Sequence, residues 1–135
     1  MLDTNTDSYV LKGLSAAARA RLASLHQNEI ACVSAITEAE LWYGLALVGA
    51  SAPRRNAMSS FLSRLQVLPW GRDEAAVYGA FRAKQESIGS PLGPLDTQIA
   101  AHAIAAHAIL VSSDSGFKHA VGLPGLESWA TDIIP

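Results

Sequence analysis

Two periodicities alternate along this chain, and that alternation restricts the fold more than any other feature of the sequence. Short apolar runs at residues 1–2, 30–33, 67–68 and 109–111, with a weaker one at 126–129, read as strands. Between them, residues 15–26, 37–48, 53–65, 73–88 and 95–108 carry apolar side chains at the three-to-four-residue spacing of helices. A strand that reaches its neighbour through a helix runs parallel to it, with a right-handed crossover. The expectation is an α/β domain built on a parallel sheet.

With 135 residues the chain is expected to form one domain, 1–135, with room for a sizeable core. The Gly/Pro clusters at 49–53 and 89–94 read as loops within it, and no repeat is present. No apolar run of about 18 residues occurs and the start of the chain lacks a leader pattern, so a cytoplasmic protein without membrane association is expected. The only cysteine, Cys32, sits in the apolar stretch EIACVSAI and reads as a buried thiol. Apolar residues make up 50% and charged residues 16%, a surplus that implies a face turned to another chain, as in a homodimer. A net charge of −2 argues against coating nucleic acid by bulk electrostatics. The cations are nevertheless clustered: Arg54, Arg55, Arg64 and Arg72 fall between Gly49 and Arg72 with no acid among them.

Several carboxylates fall where an open α/β sheet holds its ligands, beyond the carboxyl ends of the strands. Asp3 ends the first run, Asp114 follows AILVSS, and the run EIACV leads into TEAELWYG with Glu38 and Glu40. Spacing does not separate those two glutamates. Asp96 heads a stripe formed by Ile99, Ala100, Ala103 and Ile104. Each acid has an ordinary structural reading: Asp3 as the cap of a helix beginning at Thr4, Asp96 as an N-cap after Pro94, Asp114 as a turn residue. All ten Lys and Arg lie outside the four segments that carry these acids. Carboxylates gathered without a basic partner repel one another until a cation enters, and hard oxygen donors suit Mg²⁺, with Mn²⁺ as a substitute. Phosphodiester hydrolysis is the chemistry that follows.

Other motifs fail on inspection. DTNTD opens like a calcium loop, but Ser8 stands where glycine is required and Leu14 where a bidentate glutamate is needed. An aspartyl-phosphate enzyme would carry a second aspartate at Asn5. His102 and His107 are five apart, off a common helix face, His26 and His119 have no evident partner, and no phosphate loop is present. Trp42 and Trp70 could stack on RNA bases, although packing is the commoner role.

The segments LDTN at Leu2 to Asn5, S-x-I-T-x-A-E-L-x-Y-G at Ser34 to Gly44, GPLD-x-x-IAAHA at Gly93 to Ala103 and LVSSD-x-x-F at Leu110 to Phe117 together resemble PIN-domain ribonucleases, within them the VapC-type toxins of toxin–antitoxin pairs. The resemblance covers nearly the whole chain. It implies a three-layer PIN-like domain with a central, mainly parallel five-stranded sheet flanked by helices, a Mg²⁺-dependent endoribonuclease site, an RNA substrate and a cognate VapB-type antitoxin. It selects Glu40 over Glu38 and marks Asp3, Asp96 and Asp114 as the other catalytic, metal-binding acids. Asn5, Thr37 and Ser112 would orient them, and Arg54, Arg55, Arg64 and Arg72 are candidates for holding the RNA backbone. Few residues precede Asp3 compared with the family pattern, so a very short first strand and a less firmly placed Asp3 are expected. The competing readings are a PIN-fold protein-binding module with weak catalysis, and a DNA nuclease using the same acids.

Overall fold

A computed structural model describes residues 1–134. Among them the chain forms α1 (Thr4–Leu11), α2 (Ala16–Ala23), β1 (Cys32–Ser34), α3 (Ala35–Leu47) and α4 (Ala52–Ser63). There follow β2 (Gln66–Leu68), α5 (Arg72–Ser87), α6 (Pro94–Ala105), β3 (Leu110–Val111), a 3-10 turn at Ser115–His119 and β4 (Leu126–Glu127). Helix starts follow local chemistry: Ser15 Oγ accepts from Ala18 N at 3.0 Å, Ser34 Oγ accepts from Ile36 N at 3.1 Å, and α6 opens on Pro94. No helix among the described residues is long and apolar enough to cross a membrane.

The strands run parallel, β1 beside β2 and β3 beside β4. Met1 to Asp3 lies between the pairs: Leu2 N donates to Cys32 O at 2.9 Å, Val111 N donates to Met1 O at 2.7 Å, and Asp3 N donates to Val111 O at 3.0 Å. The expected five-stranded central sheet is therefore present only in part, as two short parallel pairs with an isolated bridge, Leu2 to Val111, between them. Two or three residues per strand supply too few ladder bonds for more; the helices carry most of the packing.

Side-chain alternation divides the core. Leu2, Val33 and Val111 enter a cluster with Val10, Ala18, Met58 and Phe61, while their neighbours Met1, Cys32 and Leu110 enter another with Phe81, Ile99 and Phe117. Successive strand residues point to opposite faces, so each strand feeds both clusters, with α1, α2 and α4 on one side and α5 and α6 on the other. Cys32 is buried and free, in line with the sequence reading.

Helix α1 is absent from the element reading of the sequence and appears there only as the capping alternative for Asp3. Its stretch TNTDSYVL is mostly polar, and it buries Thr6 and Asp7 beside Val10, so no clean apolar stripe announces it. A second polar side chain, Gln85 of α5, lies in the interior and bonds loops on both sides of it.

Candidate functional site

The first segment is pinned on both edges, and Asp3 emerges from it only 5% exposed. The shortness of this segment does not loosen it. Asp3 caps α1, its Oδ1 accepting from Thr6 N at 2.8 Å, and its Oδ2 accepts from Ser112 Oγ at 2.5 Å. Ser112 Oγ in turn accepts from Asp114 N at 3.0 Å, so one hydroxyl joins the acid after the first segment to the acid after β3. Asp114 is exposed and caps the 3-10 turn through Gly116 N at 2.8 Å. For Asp3 and Asp114 the capping role and a place in the site are the same geometry.

Asp96 is not the cap of α6; Gly93 is, and Asp96 stands in the first turn, half-buried. Its carboxyl is held above the ordinary carboxylate range, first by burial and then by the negative charges of Asp114 and Asp3. Three acids from distant parts of the chain thus share one electrostatic neighbourhood. Neither ion pair among the described residues, Arg21 with Glu29 and Arg82 with Glu86, involves any of them.

The two glutamates of α3 part company. Glu38 accepts from Trp42 Nε1 at 3.2 Å. Glu40 borders a groove of about 660 Å³ with Thr4, Asn5 and Arg54. Thr37 is buried, its Oγ1 3.4 Å from that of Thr4. Asn5 is exposed in the groove, next in sequence but one to Asp3.

Among the described residues no three His, Cys, Asp or Glu side chains are arranged, as they stand, to hold a metal ion by themselves. A structural zinc site is thereby a poor fit. An open set of carboxylates with no basic partner fits a hard divalent cation that keeps part of its water shell and meets some ligands through water.

The arginines do not form one strip. Arg54 borders the groove of Glu40, Arg55 donates to Ala50 O at 2.6 Å, and Arg64 lines a different cavity with Arg19 and Phe61. Arg72 lies exposed at the start of α5. Trp42 packs on the α1 side of the core, while Trp70 meets the rings of Tyr78 and His102 edge-on. His102 is buried with Nδ1 2.7 Å from Ser34 Oγ.

One acid entered the sequence reading only as the last residue of the rejected DTNTD loop. Asp7 is fully buried, and neither carboxylate oxygen has a hydrogen-bond partner. Burial, reinforced by Asp3, pushes its carboxyl well above the ordinary range. The available signal was its spacing: four residues past Asp3, it shares a helix face with that residue.

Residues 1–123 match the PIN domain family model. A tRNA(fMet)-specific endonuclease VapC of Shigella flexneri is 34% identical over 132 residues, spanning 96% of this chain and 97% of that protein. Ribonuclease VapC2 of Haemophilus influenzae is 38% identical over 133 residues, with 96% of each covered. Among solved structures, VapBC2 of Rickettsia felis bound to a DNA fragment from its promoter contains a chain that superposes with a TM-score of 0.88 at 32% identity, covering 96% of this chain and 97% of that one.

Proposed function

The chain belongs to the PIN-domain family, and on that premise we propose that it is a metal-dependent endoribonuclease toxin that hydrolyses phosphodiester bonds of RNA and is neutralised by a cognate VapB-type antitoxin. Relatives named as endonuclease or ribonuclease VapC over almost the full length support the activity, and the VapBC complex supports the partner. The observation that carries the reading is the set of Asp3, Asp96 and Asp114, in which burial and then the negative charges of Asp114 and Asp3 raise the proton affinity of Asp96, and none of which is in an ion pair among the described residues.

Mg²⁺, with Mn²⁺ as a substitute, would be held by Asp3, Asp96 and Asp114, with Glu40 acting from the groove side directly or through water. When bound, the ion supplies charge neutralisation at the phosphate and a more acidic water for in-line attack. The protein's own part is placement. Ser112 and the first turn of α1 fix the two oxygens of Asp3. Thr37 and Asn5 are the polar supports on the Glu40 side, and Arg54, on the same groove, is the arginine best sited to hold an RNA phosphate. The protein would work in the cytoplasm. Exposed Tyr43, Leu47 and Val48 on and just beyond α3 offer an apolar face for a second copy or for the antitoxin.

A second reading, a PIN-fold binding module with weak catalysis, is favoured by the lack, among the described residues, of three His, Cys, Asp or Glu side chains arranged to hold a metal ion by themselves. Digesting total RNA with and without EDTA, and mapping the cut ends, tests both. Discrete cuts that vanish with EDTA, with Asp96→Asn or with the antitoxin support the nuclease. RNA left whole by folded, metal-loaded protein, together with tight antitoxin binding, supports the module; cutting of DNA alone would reassign the substrate.

A further inference from the structure

Gln85 carries no feature that marks it in the sequence, yet in the fold it is 1% exposed and uses its whole amide. Its Nε2 donates to Ser90 O and to His119 O, each at 2.9 Å, and its Oε1 accepts from Val121 N at 2.9 Å. Ser90 begins the loop that delivers Asp96. His119 ends the 3-10 turn that Asp114 begins.

Both connections from the amide to the acids are stiff. Between Ser90 and Asp96 the chain holds Pro91 and Pro94, each with a fixed φ, and Thr97 Oγ1 donates to Leu92 O at 3.2 Å and to Gly93 O at 2.7 Å. Between Asp114 and His119 the 3-10 turn is anchored by buried Phe117, and Ala120 N donates to Phe117 O at 3.0 Å. A displacement at either carbonyl is therefore carried to an acid instead of being absorbed by slack backbone.

We propose that Gln85 is a positioning residue for the metal site: its one amide locks the Asp96 loop to the Asp114 turn and so sets the spacing between those two carboxylates. It touches neither metal nor RNA. The inference rests on Asp96 and Asp114 being metal ligands, as proposed above.

The test uses the intact chain with Gln85→Met, which keeps length and volume but loses all three bonds, and Gln85→Asn, which keeps the amide but is too short to reach all three partners. Leu65→Ala, a core change beside the start of β2, serves as a control for general loss of stability. Free Mn²⁺ is counted by electron paramagnetic resonance, and kcat and KM for RNA are measured apart. Removing support of this kind typically weakens metal binding about 10- to 100-fold. Gln85→Met is expected in that range, with kcat reduced and KM nearly unchanged, Gln85→Asn between it and wild type, and Leu65→Ala like wild type. Wild-type Mn²⁺ affinity in a folded Gln85 variant, an equal loss in Leu65→Ala, or no Mn²⁺ binding by wild type would overturn the assignment. If wild type binds Mn²⁺ but leaves RNA whole, and the Gln85 variants still lose affinity, the positioning role stands and the ribonuclease reading falls.

Discussion

Asp3 and Asp7 sit one helical turn apart at the start of the same helix, both buried, and the protein treats them in opposite ways. Asp3 receives a backbone donor on one oxygen and the Ser112 hydroxyl on the other. Asp7 receives none. Donors aimed at a carboxylate stabilise its anion, whereas burial without donors drives it to the neutral form. On the proposed function, the contrast separates an acid that would meet a cation from one that the interior merely tolerates. Burial alone therefore does not mark a functional carboxylate; its donors and its neighbours do.

The sharpest way to break this contrast is at Asp96, the acid that the other two repel. Asp96→Asn removes charge with almost no change in volume, so RNA cleavage and growth arrest are expected to fall to background while circular dichroism and the apo melting temperature stay near wild type. A soluble, fully active variant would remove Asp96 from the site. Next in size is Ser112→Ala, which strips a donor from Asp3 and an acceptor from the Asp114 backbone. Loss of a hydrogen bond to a charged group costs about 1.5–3 kcal/mol, and Mn²⁺ affinity is expected to drop roughly 10-fold, as titration calorimetry would detect.

Asp7→Leu should act in the reverse direction. Replacing an unpartnered buried acceptor by an apolar group of similar shape is expected to stabilise the fold by about 1–3 kcal/mol at neutral pH, read by urea denaturation, with cleavage retained. Loss of cleavage would instead make Asp7 part of the site. The pH dependence follows from the direction of its shift. Its folded carboxyl titrates above the unfolded value of about 3.9, so the folded state binds more protons over that interval. The stability this group contributes is complete below about pH 3.9 and is lost as pH rises through its folded value. Wild type should thus lose stability relative to Asp7→Leu on going from pH 4 to pH 7; parallel curves would contradict the assignment.

The smallest effect belongs to Arg54→Ala. One phosphate contact fewer should raise KM for RNA and lower the salt dependence of binding by about 0.7 in slope, leaving kcat in place. An unchanged slope would mean that the groove's arginine faces the antitoxin alone.

What was legible in the sequence followed from short-range pattern. Short apolar runs marked the strand segments at 1–2, 30–33, 67–68 and 109–111, and helical spacing found α2 to α6 within a few residues of their ends, whereas the side of the core that each strand residue enters emerged only in the fold, since runs that are apolar throughout show no alternation. The positions of the acids after strand ends could be read from order alone, although choosing Glu40 over Glu38 needed the family pattern. The Trp42–Glu38 hydrogen bond that now distinguishes the two depends on rotamers that spacing does not reveal. Helix α1 went unread because most of its residues are polar and the reason for burying some of them lies elsewhere in the chain. Gln85 was invisible for a related cause: two of its three partners lie 34 and 36 residues away, and RAKQES looks like any solvated helix face.

The most direct measurement is an anomalous difference map from a crystal of the wild-type protein soaked in Mn²⁺ at neutral pH. The expected result is a peak bordered by Asp3, Asp96 and Asp114, absent from Asp96→Asn crystals treated in the same way. A map with no peak there, or with Mn²⁺ only at unrelated surface acids, would contradict the claim that these carboxylates are assembled around a cation.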